Sequence, residues 1–277
     1  MTTVSESQAE KIGVPRLFNF DLPGLKKTGR VLPERNDISS VKSILDVACG
    51  DGAWAMAAAQ AAPQIQILGI ERDARLVEDA RAQADAQKIH NVSFRVMEPF
   101  EPLDLPDDSF DLVNARFLIG MLPASNWPQV LREYMRVTRS GGYVRLTEND
   151  LPIPGCPAMG QLGGLIAQAL YETKRSFSPN GRLLSITPVL QRLLQEAGCQ
   201  DIRRSVYVSN FSADMETHEA VCKDLAITYQ RARPFLLASG AVTEADFDRL
   251  YQEMLTEMQG ERFCALAFYL TTWGSKP

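Results

Sequence analysis

The residues most suited to chemistry cluster in the run Ile44 to Trp54, ILDVACGDGAW, where a carboxylate stands just ahead of two closely spaced glycines. Apolar Ile44, Leu45 and Val47 read as a buried strand. Gly50 and Gly52 then permit a sharp reversal into a helix and let a ligand approach the backbone with no Cβ in the way. A carboxylate near the end of a buried strand is costly unless something hydrogen-bonds it, so Asp46 either accepts from turn amides or faces a cationic ligand. A second acid follows. The apolar run Gln66 to Ile70 ends in Glu71, about twenty residues past the glycine turn, where a strand-helix-strand crossover brings a carboxylate to ribose hydroxyls. The alternative for Glu71 is an ordinary solvated acid at a strand end.

By spacing, Gly50, Gly52 and Ala55 also satisfy the dinucleotide fingerprint G-x-G-x-x-G/A, which leaves a nicotinamide or flavin oxidoreductase open. Asp46 discriminates. The pattern Asp-x-Gly-x-Gly-x-Gly, with Ala48 here at the first glycine, resembles motif I of the class I S-adenosylmethionine (SAM) methyltransferases. The resemblance covers residues 40 to 150 strongly and the rest loosely, and implies SAM as cofactor with S-adenosylhomocysteine as product. It assigns Asp46 to the cofactor loop and the amino group of the methionine moiety, Glu71 to the ribose, and Arg72 to the adenine face. Asn91 to Val96 resembles the strand before a Gly-Asp-Ala segment in many relatives, read here as Met97, Glu98, Pro99. Glu98 can accept from the adenine amino group and Met97 can pack on the ring. Pro99 has no N–H to donate, so either Phe100 supplies the amide or the register shifts by one. The stretch Leu105 to Phe117 holds a loop and a fourth strand, Phe110 to Ala115. In this family, residues at the end of that strand face the transferred methyl, here Asn114, Arg116 and Phe117.

Methyl transfer asks little of catalytic side chains, because a sulfonium is already an activated electrophile and alignment with water exclusion does most of the work. A base is needed only if the nucleophile carries a proton. Glu148, at the end of the fifth strand, is one candidate, with the orienting of a loop as its alternative; Asp150 lies just beyond. His218, in a helical cap, is another, with a solvated helix-face histidine as its alternative. His90 reads as surface. Arg116 suits a substrate carboxylate or carbonyl, or an ion pair with a cap acid such as Glu148. Catechol-type relatives bind Mg through carboxylates at and after the fourth strand, whereas Asn114 to Phe117 offers an amide and a cation, and no His and Cys cluster suggests zinc. No metal is expected.

These landmarks require a scaffold, and 277 residues with 45% hydrophobic content suffice for an α/β, Rossmann-like doubly wound sheet plus an elaboration. Residues 1–40 read as an N-terminal lid segment, with Phe18, Phe20, Pro23, Gly24 and Gly29; its Lys26, Lys27 and Arg30 are the densest basic stretch. Residues 41–150 form the SAM-binding core, with helices over Ala53 to Ala62, Ala74 to Gln87 and Pro128 to Thr138, and a fifth strand, Gly142 to Thr147, after the turn Ser140-Gly141-Gly142. Residues 151–277 supply cap helices and the last two strands. There, Pro- and Gly-rich Leu151 to Gly164 precedes a helix at Leu165 to Lys174. Thr187 caps another helix, which Gly198 stops. A sixth strand spans Ile202 to Ser209. Ala213 to Gly260 is helical with a break at Ser239-Gly240 and a capped restart at Thr243 and Asp246. Phe263 to Trp273 is the last strand. The resemblance implies strand order 3-2-1-4-5-7-6, the final strand antiparallel.

The long helical insertion between the last two strands is similar to the cap of small-molecule methyltransferases, or else forms an oligomer interface such as a homodimer. A small, largely apolar acceptor beneath the cap would meet Phe18, Phe20, Phe117 and Tyr171. Arg175 to Pro188 and the C-terminal TTWGSKP resemble those of uncharacterised bacterial relatives of the type 11 and type 25 groups, which adds no substrate; natural product biosynthesis is the expected setting. A SAM-binding protein that transfers nothing, or a cyclase, is the remaining alternative. The net charge of -5 and the lack of a Lys/Arg cluster argue against nucleic acid. The five cysteines show no paired or metal-binding spacing, which suggests reduced thiols, and no apolar run reaches membrane-spanning length. A cytoplasmic protein is expected.

Overall fold

The computed structural model describes residue 32 and residues 38–277. Apart from residues 32 and 38–40, the segment read as a lid, with Phe18, Phe20, Lys26, Lys27 and Arg30, lies outside the described residues.

Strand β1 (Ser43–Val47) lies inside the sheet, paired in parallel with β2 (Gln66–Glu71) on one side and β4 (Phe110–Arg116) on the other. β3 (Val92–Val96) continues beyond β2, and β5 (Thr138–Asn149) beyond β4, both parallel. β8 (Ala265–Ser275) runs antiparallel to β5 and to the outer strand β7 (Gln200–Asn210). A two-residue strand, β6 (Ile153–Pro154), also pairs with β8. With β6 set aside, this is the expected order 3-2-1-4-5-7-6 with an antiparallel final strand. All five parallel strands end on one edge, so Val47, Glu71, Val96, Arg116 and Asn149 stand together where such sheets bind ligands.

Side chains alternate between the faces. Ile44, Ile67, Phe94 and Leu112 pack against Trp54, Ala55 and Ala58 of helix α1 (Ala53–Ala61) and Val77 and Ala80 of α2 (Ala74–Ala86), with Leu32 in the same cluster. Leu45, Val47, Val113, Val144 and Leu146 face Trp127, Val130, Leu131 and Tyr134 of α3 (Trp127–Val137). The Phe94 ring fills space that two glycines leave: a Cβ on Gly52 or Gly69 would come within 2.6 Å of it. Gly52 therefore serves helix-on-sheet packing as well as the turn.

Three local expectations are corrected. The helix expected from Leu165 begins at Pro157 and runs as α4 (Pro157–Glu172), straight through Gly160, Gly163 and Gly164. Each glycine costs about 1 kcal/mol in helix propensity, but α4 packs on α6 (His218–Ala238) and α7 (Glu244–Met258), burying Met159, Leu162 and Ile166. At Gly163 a Cβ would lie 3.5 Å from Leu151 and 3.7 Å from the Tyr229 hydroxyl, ordinary van der Waals contacts that leave room for it. Second, Thr187 does not cap: it begins a 3-10 turn, Thr187–Val189, that leads into α5 (Leu190–Glu196). Its hydroxyl donates to Asp150 Oδ2 at 2.7 Å, while Asp150 Oδ1 accepts from the Ser185 amide at 2.8 Å, so Asp150 clasps this loop to the end of β5. Third, the Ser140-Gly141-Gly142 turn is absorbed into β5, whose pairing with β4 shifts register there. The restart at α7 is as expected, with Thr243 accepting from the Asp246 amide.

Tyr134, Tyr229 and Tyr269 are buried, and burial pushes each phenol well above its ordinary value. For Tyr134, the nearby Glu98 and Glu148 charges add to this. Above pH about 10 the unfolded chain therefore loses protons that the folded chain keeps, so stability, full below that pH, falls as pH rises, by up to about 1.4 kcal/mol per pH unit for each tyrosine. Phenolate absorbance during an alkaline titration should appear for these three together with unfolding; early, gradual ionisation of all seven tyrosines would contradict it.

Candidate functional site

The turn after β1 is built from left-handed residues at alternate positions: Ala48, Gly50 and Gly52 have φ of 51°, 61° and 75°. Glycine adopts this conformation freely; alanine does so at a cost of roughly 1–2 kcal/mol. Ala48, where the resembling motif has glycine, thus takes the shape a glycine would. The Cys49 amide donates to the Ile70 carbonyl (2.9 Å) and the Gly52 amide to the Cys49 carbonyl (3.1 Å), fixing the turn against β2.

Asp46, almost fully buried, accepts at Oδ1 from the Asn114 side-chain amide at 2.7 Å. Asn114 Oδ1 in turn accepts from Arg145 Nη1 at 2.7 Å. The three residues are direct register neighbours on β1, β4 and β5. Asp46 thus has a cross-strand amide as partner, in addition to whatever the turn or a ligand supplies, and both ends of the Asn114 amide are engaged inside the sheet. Glu71 is not a solvated acid: it is 5% exposed, with Oε2 accepting from the Gly50 amide (3.1 Å) and Oε1 from the Arg72 (2.9 Å) and Asp73 (3.2 Å) amides. Arg72 is exposed, and Glu98 is half-buried just past β3, where the Met97 amide donates to the Glu71 carbonyl.

At the end of β4 the chain holds Phe117 at φ 55°, a left-handed conformation unusual for an aromatic residue, and its amide donates to the Thr147 carbonyl at 2.9 Å. Strain of this kind clusters at ligand sites. The Phe117 ring meets Tyr269 edge-to-face at 5.9 Å, and Tyr269 lies 6.0 Å from Tyr207. The buried Arg116 guanidinium stands 5.5 Å from the Trp54 ring and 5.8 Å from that of Phe117. An aromatic wall with one cation therefore borders the sheet edge beside the glycine turn.

The other candidates sit in structural roles. Glu148 Oε1 accepts from the Leu118 amide at 2.6 Å, the loop-orienting alternative. His218 Nδ1 is 2.9 Å from the Phe211 carbonyl, and its ring lies 5.6 Å from Phe263, at the start of α6. His90 is exposed, as expected. Tyr171 is 40% exposed and adjoins the turn at Gly181, so it does not share the enclosure of Phe117. Burial raises the thiols of Cys156, Cys199 and Cys222 to about 11, 12 and 11, which keeps them unreactive near neutrality. Sequence reasoning missed Trp54, Arg145, Asn149 and Tyr269. Arg145, a cation between Val144 and Leu146 in an apolar strand, carried the same signal as Asp46 and marks its distant counterpart. Among the described residues no group of three or more His, Cys, Asp or Glu converges, and no helix is long and apolar enough to cross a membrane.

This sheet order, glycine turn and acid-tipped second strand define a Rossmann-like methyltransferase fold. Residues 44–142 match the family model described as a methyltransferase domain. The demethylmenaquinone methyltransferase of Listeria monocytogenes serotype 4a is 28% identical over 193 residues, spanning 64% of this chain and 76% of that protein. Among solved structures, a Bacillus halodurans C-125 protein superposes with a TM-score of 0.55 at 17% identity, covering 93% of this chain and 99% of its own. Phosphoethanolamine N-methyltransferase 2 of Haemonchus contortus, in complex with S-adenosyl-L-methionine, also reaches 0.55 at 15% identity, covering 100% and 58%. Residues 44–142 thus form a methyltransferase domain, set in the fold that SAM-dependent methyltransferases share.

Proposed function

We propose that this enzyme methylates a small, largely apolar metabolite at the aromatic wall beside Arg116, with SAM held by the turn from Asp46 to Gly52 and by Glu71. The observation that carries the reading is the juxtaposition of Arg116, Phe117 and Tyr269 at the carboxyl ends of β4 and β5, next to that turn. The residues fit the cofactor: Gly50 has no side chain to block the turn, and Glu71 places a buried carboxylate beside it. Bound SAM supplies a methyl group on a sulfonium, already activated for displacement. Glu71 would orient the ribose, while Met97 and Glu98, with Arg72, would lie along the adenine. Trp54, Phe117 and Tyr269 exclude water and present an apolar face, and Arg116 meets an acceptor carbonyl or carboxylate. Alignment by these walls, without a metal, supports in-line attack, and Glu148 acts by fixing the loop that carries Leu118. A demethylmenaquinone methyltransferase among the relatives accords with an apolar acceptor.

The test is incubation of the enzyme with methyl-labelled SAM and a deproteinised bacterial extract. Label should move into the organic-soluble fraction; label confined to added protein or nucleic acid would overturn the small-molecule reading.

A further inference from the structure

We infer that Asn149 selects the methyl acceptor: its side-chain oxygen accepts a hydrogen bond from an O–H or N–H group of the bound molecule. The inference rests on the proposed acceptor site and names the polar group that site uses. Asn149 is the last residue of β5 and is 0% exposed. Its Nδ2 donates to the Asp150 carbonyl at 3.0 Å, but Oδ1 is buried with no hydrogen-bond partner among the described residues. Buried polar atoms are paired in nearly all native structures, so an orphan asks for an explanation.

Position supplies one. Along β5 the residues sharing a face with Asn149 are Arg145 and Thr147. Arg145 is bonded to Asn114, and the Thr147 and Thr271 hydroxyls lie 2.9 Å apart. The two polar side chains behind Asn149 on this face of β5 therefore have neighbours as partners, and Asn149 Oδ1 is the open acceptor of that row at the ligand edge. Asn149 is the register partner of Tyr269, whose ring packs on Phe117, so its side chain shares a sheet face with that aromatic wall. An amide oxygen can only accept. It therefore favours a hydroxyl, phenol or amine, and disfavours an ether or hydrocarbon of equal shape, which would leave it unpaired; sites of this type discriminate far better than apolar pockets do.

The test uses the full-length protein saturated with S-adenosylhomocysteine and two probes of equal shape, 2-naphthol and 2-methylnaphthalene, measured by calorimetry. The wild type should prefer the naphthol by about tenfold or more, the equivalent of one net hydrogen bond. Asn149→Leu, close in volume, should lose that preference while keeping its affinity for S-adenosylhomocysteine and its melting temperature. An equal preference in both proteins overturns the inference, as does a melting temperature several degrees lower, which would show that Asn149 serves the fold. If the wild type binds neither probe, it is the apolar-acceptor reading that fails, and the inference falls with it.

Discussion

Replacing Asn114 with leucine should lower the unfolding free energy by about 3–5 kcal/mol, far more than a surface substitution would. Leucine nearly matches asparagine in volume, so little of the loss can come from a cavity. The loss comes from the two groups that Asn114 joins. Asp46 and Arg145 are 1% and 2% exposed, and each shares one hydrogen bond with the Asn114 amide at 2.7 Å. Hydrogen bonds to charged groups contribute about 1.5–3 kcal/mol each, because a charge left short of partners in the interior keeps its desolvation cost. The amide orientation is fixed by the same charges: its N–H₂ end faces the carboxylate and its oxygen the guanidinium, and the reverse would set like against like. Urea denaturation should show a lower midpoint with an unchanged slope. A change under about 1 kcal/mol would mean that other partners of Asp46 and Arg145 hold them without help.

That network also marks what could be read from the sequence. Residues 44 to 71 were legible because each feature there is local: apolar alternation, a glycine turn, an alanine-rich helix and an acid at the next strand end. Asp46 stood out as a polar residue in an apolar strand, but its partner could not be named, since register between β1, β4 and β5 is a property of the assembled sheet. The same limit hid Tyr269, which reaches Phe117 only because β8 inserts beside β5. Glycines misled in the opposite sense. Gly160, Gly163 and Gly164 weaken a helix intrinsically, yet α4 forms because α6 and α7 give its apolar face somewhere to pack. Thr187 had the composition of a cap, but Asp150 claimed its hydroxyl.

Glu71→Ala should weaken SAM binding by roughly 10- to 100-fold, the equivalent of one hydrogen bond to a charged group, about 1.5–3 kcal/mol. The carboxylate holds the Gly50 amide and its own two following amides, so the variant also loosens the joint between β2 and the turn. Stability and affinity must therefore be separated. Glu71→Gln keeps the shape but turns an N–H₂ toward at least one of the amides that the two oxygens accept from, so it should lose part of the stability, less than alanine does, together with the charge that favours paired ribose hydroxyls. Gly50→Val acts from the other side: at φ 61° a β-branched residue is strained, and its methyls would occupy the space that a cofactor needs. Calorimetry on all three, beside melting curves without ligand, gives the decisive pattern. SAM affinity should fall in every variant, whereas the melting temperature should fall most in Glu71→Ala and Gly50→Val and less in Glu71→Gln. If Glu71→Gln and Gly50→Val both bind SAM as the wild type does, the turn and its acid hold the sheet together but do not hold the cofactor.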